Sequence, residues 1–361
     1  MPFDLRTILA PQNLLGLVQS IKGGVPELLP AGLFSKVRPT VGNTGSYRRV
    51  MATRQLAPVV QYGAPPVPVS GQDVIEVSEK LVHTIVSKPF DASFYNNLQG
   101  LSDITAQRYA EDVVSYETAE LKRRVTNLMA ACKYSVLSQG VIYVDNTQQF
   151  AFGSSSSQYA INFGVPASNQ TDIATFTGVT GLWSNSDTDI PLQLRTLKQL
   201  AVQATGYPIT HCLYGKSIPD YIQNNTAVAN LVHGNYVLAT EQYRSTEIPP
   251  MLGDINWLPM YSAFAENNTG VQYPLWPDNL AVFIPDPGDD WQEMLEGTRR
   301  IPTTFGAVGG DALSVLQTGV DAQGLFSYAS VDRHLIVEQT VGNTFLPVLK
   351  VPAAIYQLTV A

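Results

Sequence analysis

The stretch DITAQRYAEDVVSYETAELKRRVTNLMAACKYSVLSQ, residues Asp103 to Gln139, decides how this chain is read. It contains no Gly and no Pro, and Gly140 follows it as a stop signal. Ala106, Ala110, Val113, Leu121, Val125, Leu128, Cys132 and Val136 recur every three or four positions. That spacing lines one face of an α-helix, with Glu117 breaking the row. At 1.5 Å per residue the segment predicts a rod of roughly 54 Å. A rod of that length projects from a single globule or spans it, so it reads as a beam on which other parts are hung.

Working outward from the beam, Tyr47 to Phe90 reads as extended and proline-rich. Arg48, Arg49 and Arg54 lead to Pro58, and Gly63-Ala64-Pro65-Pro66-Val67-Pro68 makes a tip that neither a helix nor a central strand accepts. Val74 to Val86 returns as one strand, with Val77, Leu81 and Ile85 apolar among Glu76, Glu79, Lys80 and His83. The product is a two-stranded finger. Such a ribbon is marginal in water by itself, so it is expected to lie on something else, most simply a neighbouring copy. Before it, residues 1–46 read as an arm with a short helix over Gln12 to Ile21, broken by Gly23, Gly24, Pro26 and Pro30.

After the beam come a strand at Val141 to Val144 and a polar, turn-rich stretch holding short strands at Phe150 to Phe152 and Tyr159 to Phe163. Residues Ile190 to Ile284 then alternate helix and strand. A helix carries Leu192, Leu194, Leu197, Leu200 and Ala201 and ends at Gly206; strands are expected at Ile209 to Tyr214, Ile255 to Tyr261 and Leu280 to Ile284, and a short helix at Ser217 to Gln223. This is the pattern of an α/β layer. The last residues return to strands at Ser327 to Ala329, Leu335 to Val341 and Ala354 to Val360.

Composition narrows the function. Charged residues are 14% of the 361, well below the roughly 25% of ordinary soluble domains. Charge is depleted at interface cores, so a surface covered by copies of itself accounts for the deficit. The net charge of −8 argues against a nucleic-acid grip through a basic face. Two cysteines, Cys132 and Cys212, give no disulfide framework and point to a reducing compartment. Neither a signal peptide nor a membrane-spanning run is read.

The chemistry of a reactive site is missing. His83, His211, His233 and His334 are scattered without metal-ligand spacing. Gly215-Lys216-Ser217 resembles the end of a phosphate loop, but Thr210 stands where its first glycine belongs. Asp286, Asp289, Asp290 and Glu293 lack the alternating spacing of a calcium loop and read as a solvated turn. Lys122, Arg123 and Arg124 read as a solvated helix face paired with Glu120. No catalytic residue, cofactor or metal site is expected, and the chain is not read as an enzyme.

Three segments together carry a family resemblance. They are the beam ending in Lys133-Tyr134-Ser135-Val136-Leu137-Ser138-Gln139-Gly140; the run from Tyr261 through Glu266-Asn267-Asn268-Thr269-Gly270-Val271 into Leu275-Trp276-Pro277-Asp278-Asn279-Leu280-Ala281-Val282-Phe283; and Phe345-Leu346-Pro347-Val348-Leu349 followed by Pro352-Ala353-Ala354 and a final strand. In that order, with Trp183-Ser184 and Asp189-Ile190 before the second domain, they resemble the lambda-type major capsid proteins of tailed bacteriophages, the capsid protein E family. The resemblance implies an α+β fold of the Hong Kong 97 type. It would comprise an N-terminal arm (1–46), an extended loop (47–92), a peripheral domain (93–189 and 285–361) with spine helix 103–139, and an α/β axial domain (190–284). The C-terminal strands would return to the peripheral sheet.

It further implies a major capsid protein assembling as pentamers and hexamers into an icosahedral shell around double-stranded DNA. The partners implied are other copies, a portal, a scaffold and decoration proteins, with non-specific proximity to the packaged DNA and no membrane. The place implied is the virion, with assembly in the bacterial host cytoplasm. Contacts between subunits are expected at Arg48, Arg49, Arg54, Pro65, Pro66, Glu76, Glu79 and Lys80. A cellular compartment shell of the same fold and a secreted β-rich binding module such as an adhesin are the alternatives.

Overall fold

A computed structural model describes residues 8–21, 28–50, 59, 74–99, 103–145, 150–151, 157–233, 248, 252–260, 264–266, 272–302, 318–331 and 337–361. In chain order the first half forms α1 (Pro11–Ser20), β1 (Val37–Val41), β2 (Thr44–Val50), β3 (Val74–Lys80), β4 (Val82–Pro89), α2 (Ala92–Gln99), α3 (Asp103–Gln139), β5 (Val141–Asp145), β6 (Phe150–Ala151) and β7 (Ser157–Asn162). Next come α4 (Ile173–Thr177), α5 (Ile190–Thr205), β8 (His211–Tyr214), α6 (Ile218–Gln223), α7 (Thr226–His233), β9 (Asn256–Pro259), β10 (Phe264–Glu266), β11 (Gln272–Pro274) and β12 (Leu280–Ile284). The chain ends with β13 (Gln292–Pro302), β14 (Thr318–Gln323), β15 (Phe326–Val331), β16 (Val337–Leu349) and β17 (Tyr356–Thr359).

The beam is α3, with the bounds read from the sequence. Ala106, Ala110, Leu121, Val125, Cys132 and Val136 are buried, and Val114 rather than Val113 is the residue fully inside the stripe. From Ala131 to Ser138 the helix is buried on nearly every side, with Lys133 half-buried. Its end is closed by side chains. Gly140 adopts φ +69° and donates its N–H to Val136 O at 3.0 Å; a Cβ there would press on Val165 at 2.9 Å. Gln357 Nε2 donates to Leu137 O at 2.7 Å and Val136 O at 3.3 Å, and Gln170 Nε2 to Gln139 O at 3.2 Å. The carbonyls that end a helix unpaired are thereby satisfied in a dry place.

Two principal sheets flank this helix. In the six-stranded sheet, β13 pairs in parallel with β1 and antiparallel with β16 and β14. The long β16 also pairs with β15 and with β4, and its inward residues Val341 and Phe345 are fully buried. The four-stranded sheet runs β17-β12-β8-β9. Its core joins Leu194, Leu197, Ala201, Cys212, Tyr214, Ala281, Phe283 and Leu358. Helix α5 is capped at both ends: Asp189 accepts from Leu192 N at 3.0 Å, and Gly206 is left-handed at φ +83°. A third core, around Cys132, Leu137, Trp276, Trp291, Leu295 and Phe345, lies where the end of α3 meets strands of both sheets.

Four expectations change. The returning strand is two strands, because Leu81 turns inward: it is buried and its N–H donates to Asn43 O at 2.9 Å. That break shifts the alternation by one residue, so Val82 and Val86 face in while Ile85 is 39% exposed. The last strand, β17, joins β12 in the four-stranded sheet and not the larger one. The arm is anchored: α1 buries Leu14 and Val18, and β1 enters the six-stranded sheet beside β13, two strands that the sequence reading left unassigned. Lys122 is buried and is no part of a solvated face, since its Nζ donates to the carbonyls of Val18, at 2.6 Å, and Ile21 at the end of α1.

Candidate inter-subunit surface

The base of the finger is the antiparallel ribbon β2–β3, in the register Thr44↔Lys80 to Val50↔Val74. Alternation along the two strands gives it an inner and an outer face. On the inner face Gly45 is required, because a Cβ would fall 2.7 Å from the Leu295 side chain. Tyr47 beside it is buried, which raises its phenol pKa. Arg49, also on this face, donates to Asn162 O at 3.2 Å and Tyr47 OH at 3.4 Å. Its guanidinium lies against Gly164, itself at φ +73°. Arg49 is thus engaged inside its own chain, tying the ribbon to the end of β7. Glu79, opposite Gly45, is half-buried.

The outer face carries Arg48 directly opposite Glu76, and Lys80 opposite Thr44, all three exposed. Val74 and Ile75, at the distal end, are 45% and 50% exposed. Of the residues expected at subunit contacts, the ribbon brings Arg48, Glu76 and Lys80 together on one outward face. Arg54, Pro65 and Pro66 lie outside the described residues.

Alongside the ribbon, where Val50 donates its N–H to Lys350 O at 2.8 Å, Asp290 and Glu293 of the acidic turn join an ion-pair network. Lys350 meets Asp290 at 2.7 Å and Glu293 at 3.8 Å, Arg38 meets Glu293 at 3.1 Å, and Lys36 meets Asp290 at 3.5 Å. Hydrogen bonding from Lys350 holds the Asp290 carboxyl below its ordinary pKa. The carboxylates anchor the arm and β16 to the start of β13. Sequence reasoning missed this because the cationic partners lie more than 50 and 250 positions away.

Among the described residues no cluster of His, Cys, Asp or Glu is placed to hold a metal ion. Burial pushes the Cys132 and Cys212 thiols up and the His211 imidazole down, making them core side chains and not reactive ones. Glu117, the flaw in the helical stripe, pairs with Lys88 of β4 at 2.7 Å. No described helix is long and apolar enough to cross a membrane.

Comparison with known proteins agrees with this architecture. The crystal structure of a prophage capsid protein from Escherichia coli CFT073 superimposes with a TM-score of 0.55 at 12% identity, covering 98% of this chain and 99% of that one. A phage-related protein from Bordetella bronchiseptica RB50 gives 0.49 at 10% identity over 97% of each chain. A Gordonia phage Cozz protein gives 0.45 at 12% identity, covering 95% of this chain and 92% of that one. The fold likeness rests on the first. No curated protein sequence matches the chain. The family profile described as phage major capsid protein E matches residues 12–360, nearly the whole length. The chain therefore belongs to the phage major capsid protein E family, has the Hong Kong 97-type capsid fold, and is a structural protein of the virion shell.

Proposed function

We propose that this capsid protein closes its shell as pentamers and hexamers, with the outer face of the ribbon β2–β3 and the loop it supports, within the extended-loop span 47–92, laid on a neighbouring copy, while β4 of that span stays in its own sheet. The observation that supports this reading is the outward face of Arg48, Glu76 and Lys80, charged with both signs and turned to solvent. The inner face of the ribbon is packed on its own chain, which leaves the outer face free for heterologous contacts repeated around five-fold and six-fold axes. The six-stranded sheet with α3 would be the peripheral domain, and the four-stranded sheet with its helices the axial domain, extended by β17 beyond the span 190–284. Portal, scaffold and decoration proteins are proposed as further partners. Packaged double-stranded DNA would be contacted loosely, as suits a chain of net charge −8.

The test is assembly of the full chain, followed by negative-stain microscopy and sedimentation. Arg48→Glu is expected to abolish or strongly slow shell formation while the subunit keeps its unfolding midpoint. Arg48→Glu combined with Glu76→Arg separates a local cross-strand pair from an inter-subunit one. Restored assembly in the double variant would make the pair a local strut and contradict the proposal. Deleting residues 63–68 is expected to remove assembly and spare the fold.

A further inference from the structure

Where β4 leaves the ribbon, a small polar cluster joins strands of the six-stranded sheet. His83 of β4 lies opposite Thr344 of β16, with its Nδ1 2.6 Å from Thr344 Oγ1. Its Nε2 meets Arg299 Nη1 of β13. Arg299 in turn lies over the Phe326 ring of β15, 5.4 Å from the centroid. Strand β13 pairs with β16 only as far as Glu296, and from Thr298 onward it pairs with β14. The cluster therefore sits in a fork where the backbone ladder between β13 and β16 has stopped, and side chains span the gap.

Donor counting fixes the ionisation state of the ring. A guanidinium offers only N–H donors, so the Nε2 that faces it is the acceptor and carries no proton. The single ring proton is on Nδ1, where Thr344 Oγ1 accepts it. A second proton on Nε2 would set donor against donor and cation against cation. We propose that His83 is a proton-operated clamp: neutral, it holds Arg299 across β16 and pins the ribbon root to the sheet; protonated, it releases Arg299 and loosens that root.

Among the described residues, the surroundings offer nothing that would reward the extra proton. From β13 the charged group facing His83 is Arg299; β16 presents Thr344, β15 presents Phe326, β14 places Ala322 opposite Arg299, and Ile85 is the next residue on that face of β4. Glu296 feels Lys133 of α3 instead, and Lys88 is bound to Glu117 and Glu120. Burial and the Arg299 charge both hold the His83 pKa below its ordinary value. A group so shifted binds fewer protons folded than unfolded. Its stabilisation is complete above roughly pH 6.5 and is lost as pH falls from there through the folded value. His83 is partly buried at its Thr344 contact and keeps an edge in solvent, which delivers the proton.

Imidazole C2-hydrogen exchange of the full chain, read by mass spectrometry on the His83 peptide, measures the titration in subunits or shells alike. A midpoint below pH 6.5, moving upward in Arg299→Met, is expected. Backbone exchange over 74–82, corrected for intrinsic rate, should be several-fold faster at pH 5 than at pH 7.5. That difference should vanish in His83→Gln and persist in the control His211→Gln. A wild-type midpoint at or above pH 6.5, or an unchanged pH response in His83→Gln, overturns the proposal; the wild-type arm decides even where a variant fails to fold.

Discussion

The two principal sheets are built on different rules. The four-stranded sheet draws its strands chiefly from one stretch, is filled by apolar side chains such as Leu213, Ala281, Val282 and Phe283, all fully buried, and is closed by a helix with both caps in place. The six-stranded sheet gathers strands from residues 37 to 349. It buries Gln292, Gln339, Asn343 and Thr344 and is tied by ion pairs and by the His83 cluster. The first is a self-sufficient core; the second is stitched together through polar contacts that can be undone singly. In a subunit that must fold before it meets its neighbours, adjustable joints belong in the second.

The contrast breaks most decisively under truncation. Phe283→Ala in β12 should cost about 3–5 kcal/mol, read as a shift of the denaturation midpoint; a loss under about 1 kcal/mol would deny that this sheet is a packed core. Next comes the end of α3. Gln357→Met strips the Leu137 carbonyl of its side-chain donor and leaves Val136 O to Gly140 N–H, and should cost about 1–3 kcal/mol. Gln339→Met in β16 should behave oppositely and stay within about 1 kcal/mol of wild type. Gln339 has a buried acceptor without a partner, and Thr118 retains its own bond to Val114 O at 2.6 Å.

The smallest effect is electrostatic. Lys350 lowers the Asp290 pKa, and Lys88 with Arg124 lowers that of Glu120. Carboxyls with depressed folded pKa values stabilise fully above roughly pH 4.3 and lose that contribution as pH falls through the folded values. An acid titration should therefore show a shallow loss below that point, removed in part by Lys350→Met, and distinguished from the His83 loss, which begins below roughly pH 6.5, by its persistence in His83→Gln.

What the sequence displayed follows the same division. Helix α3 was legible to the residue because no Gly or Pro interrupts it and Gly140 ends it. Strand β12 and the Gly206 stop of α5 were equally plain, since their signals are local. Strand β13 stayed hidden because Glu293 reads as part of a solvated turn, and Glu296, Arg299 and Arg300 add further charge along the strand. Glu293 becomes tolerable in a central strand through Arg38 and Lys350, partners no periodicity reveals. The break at Leu81 was invisible for a related reason: it depends on the Asn43 carbonyl across the ribbon. Of the residues expected at subunit contacts, Arg48, Glu76 and Lys80 are exposed and Arg49 is bonded within its own chain; residue type alone carries no signal for that difference.

The central claim is that this fold presents its ribbon to neighbours and closes into a shell. Electron microscopy of the full chain at rising concentration tests it most directly. The account predicts rings of five and six subunits and closed particles of uniform diameter, with the ribbon of each subunit resting on the next. A subunit that stays monomeric at high concentration, or shells in which the outer face of the ribbon (Arg48, Glu76 and Lys80) touches no neighbour, would contradict it.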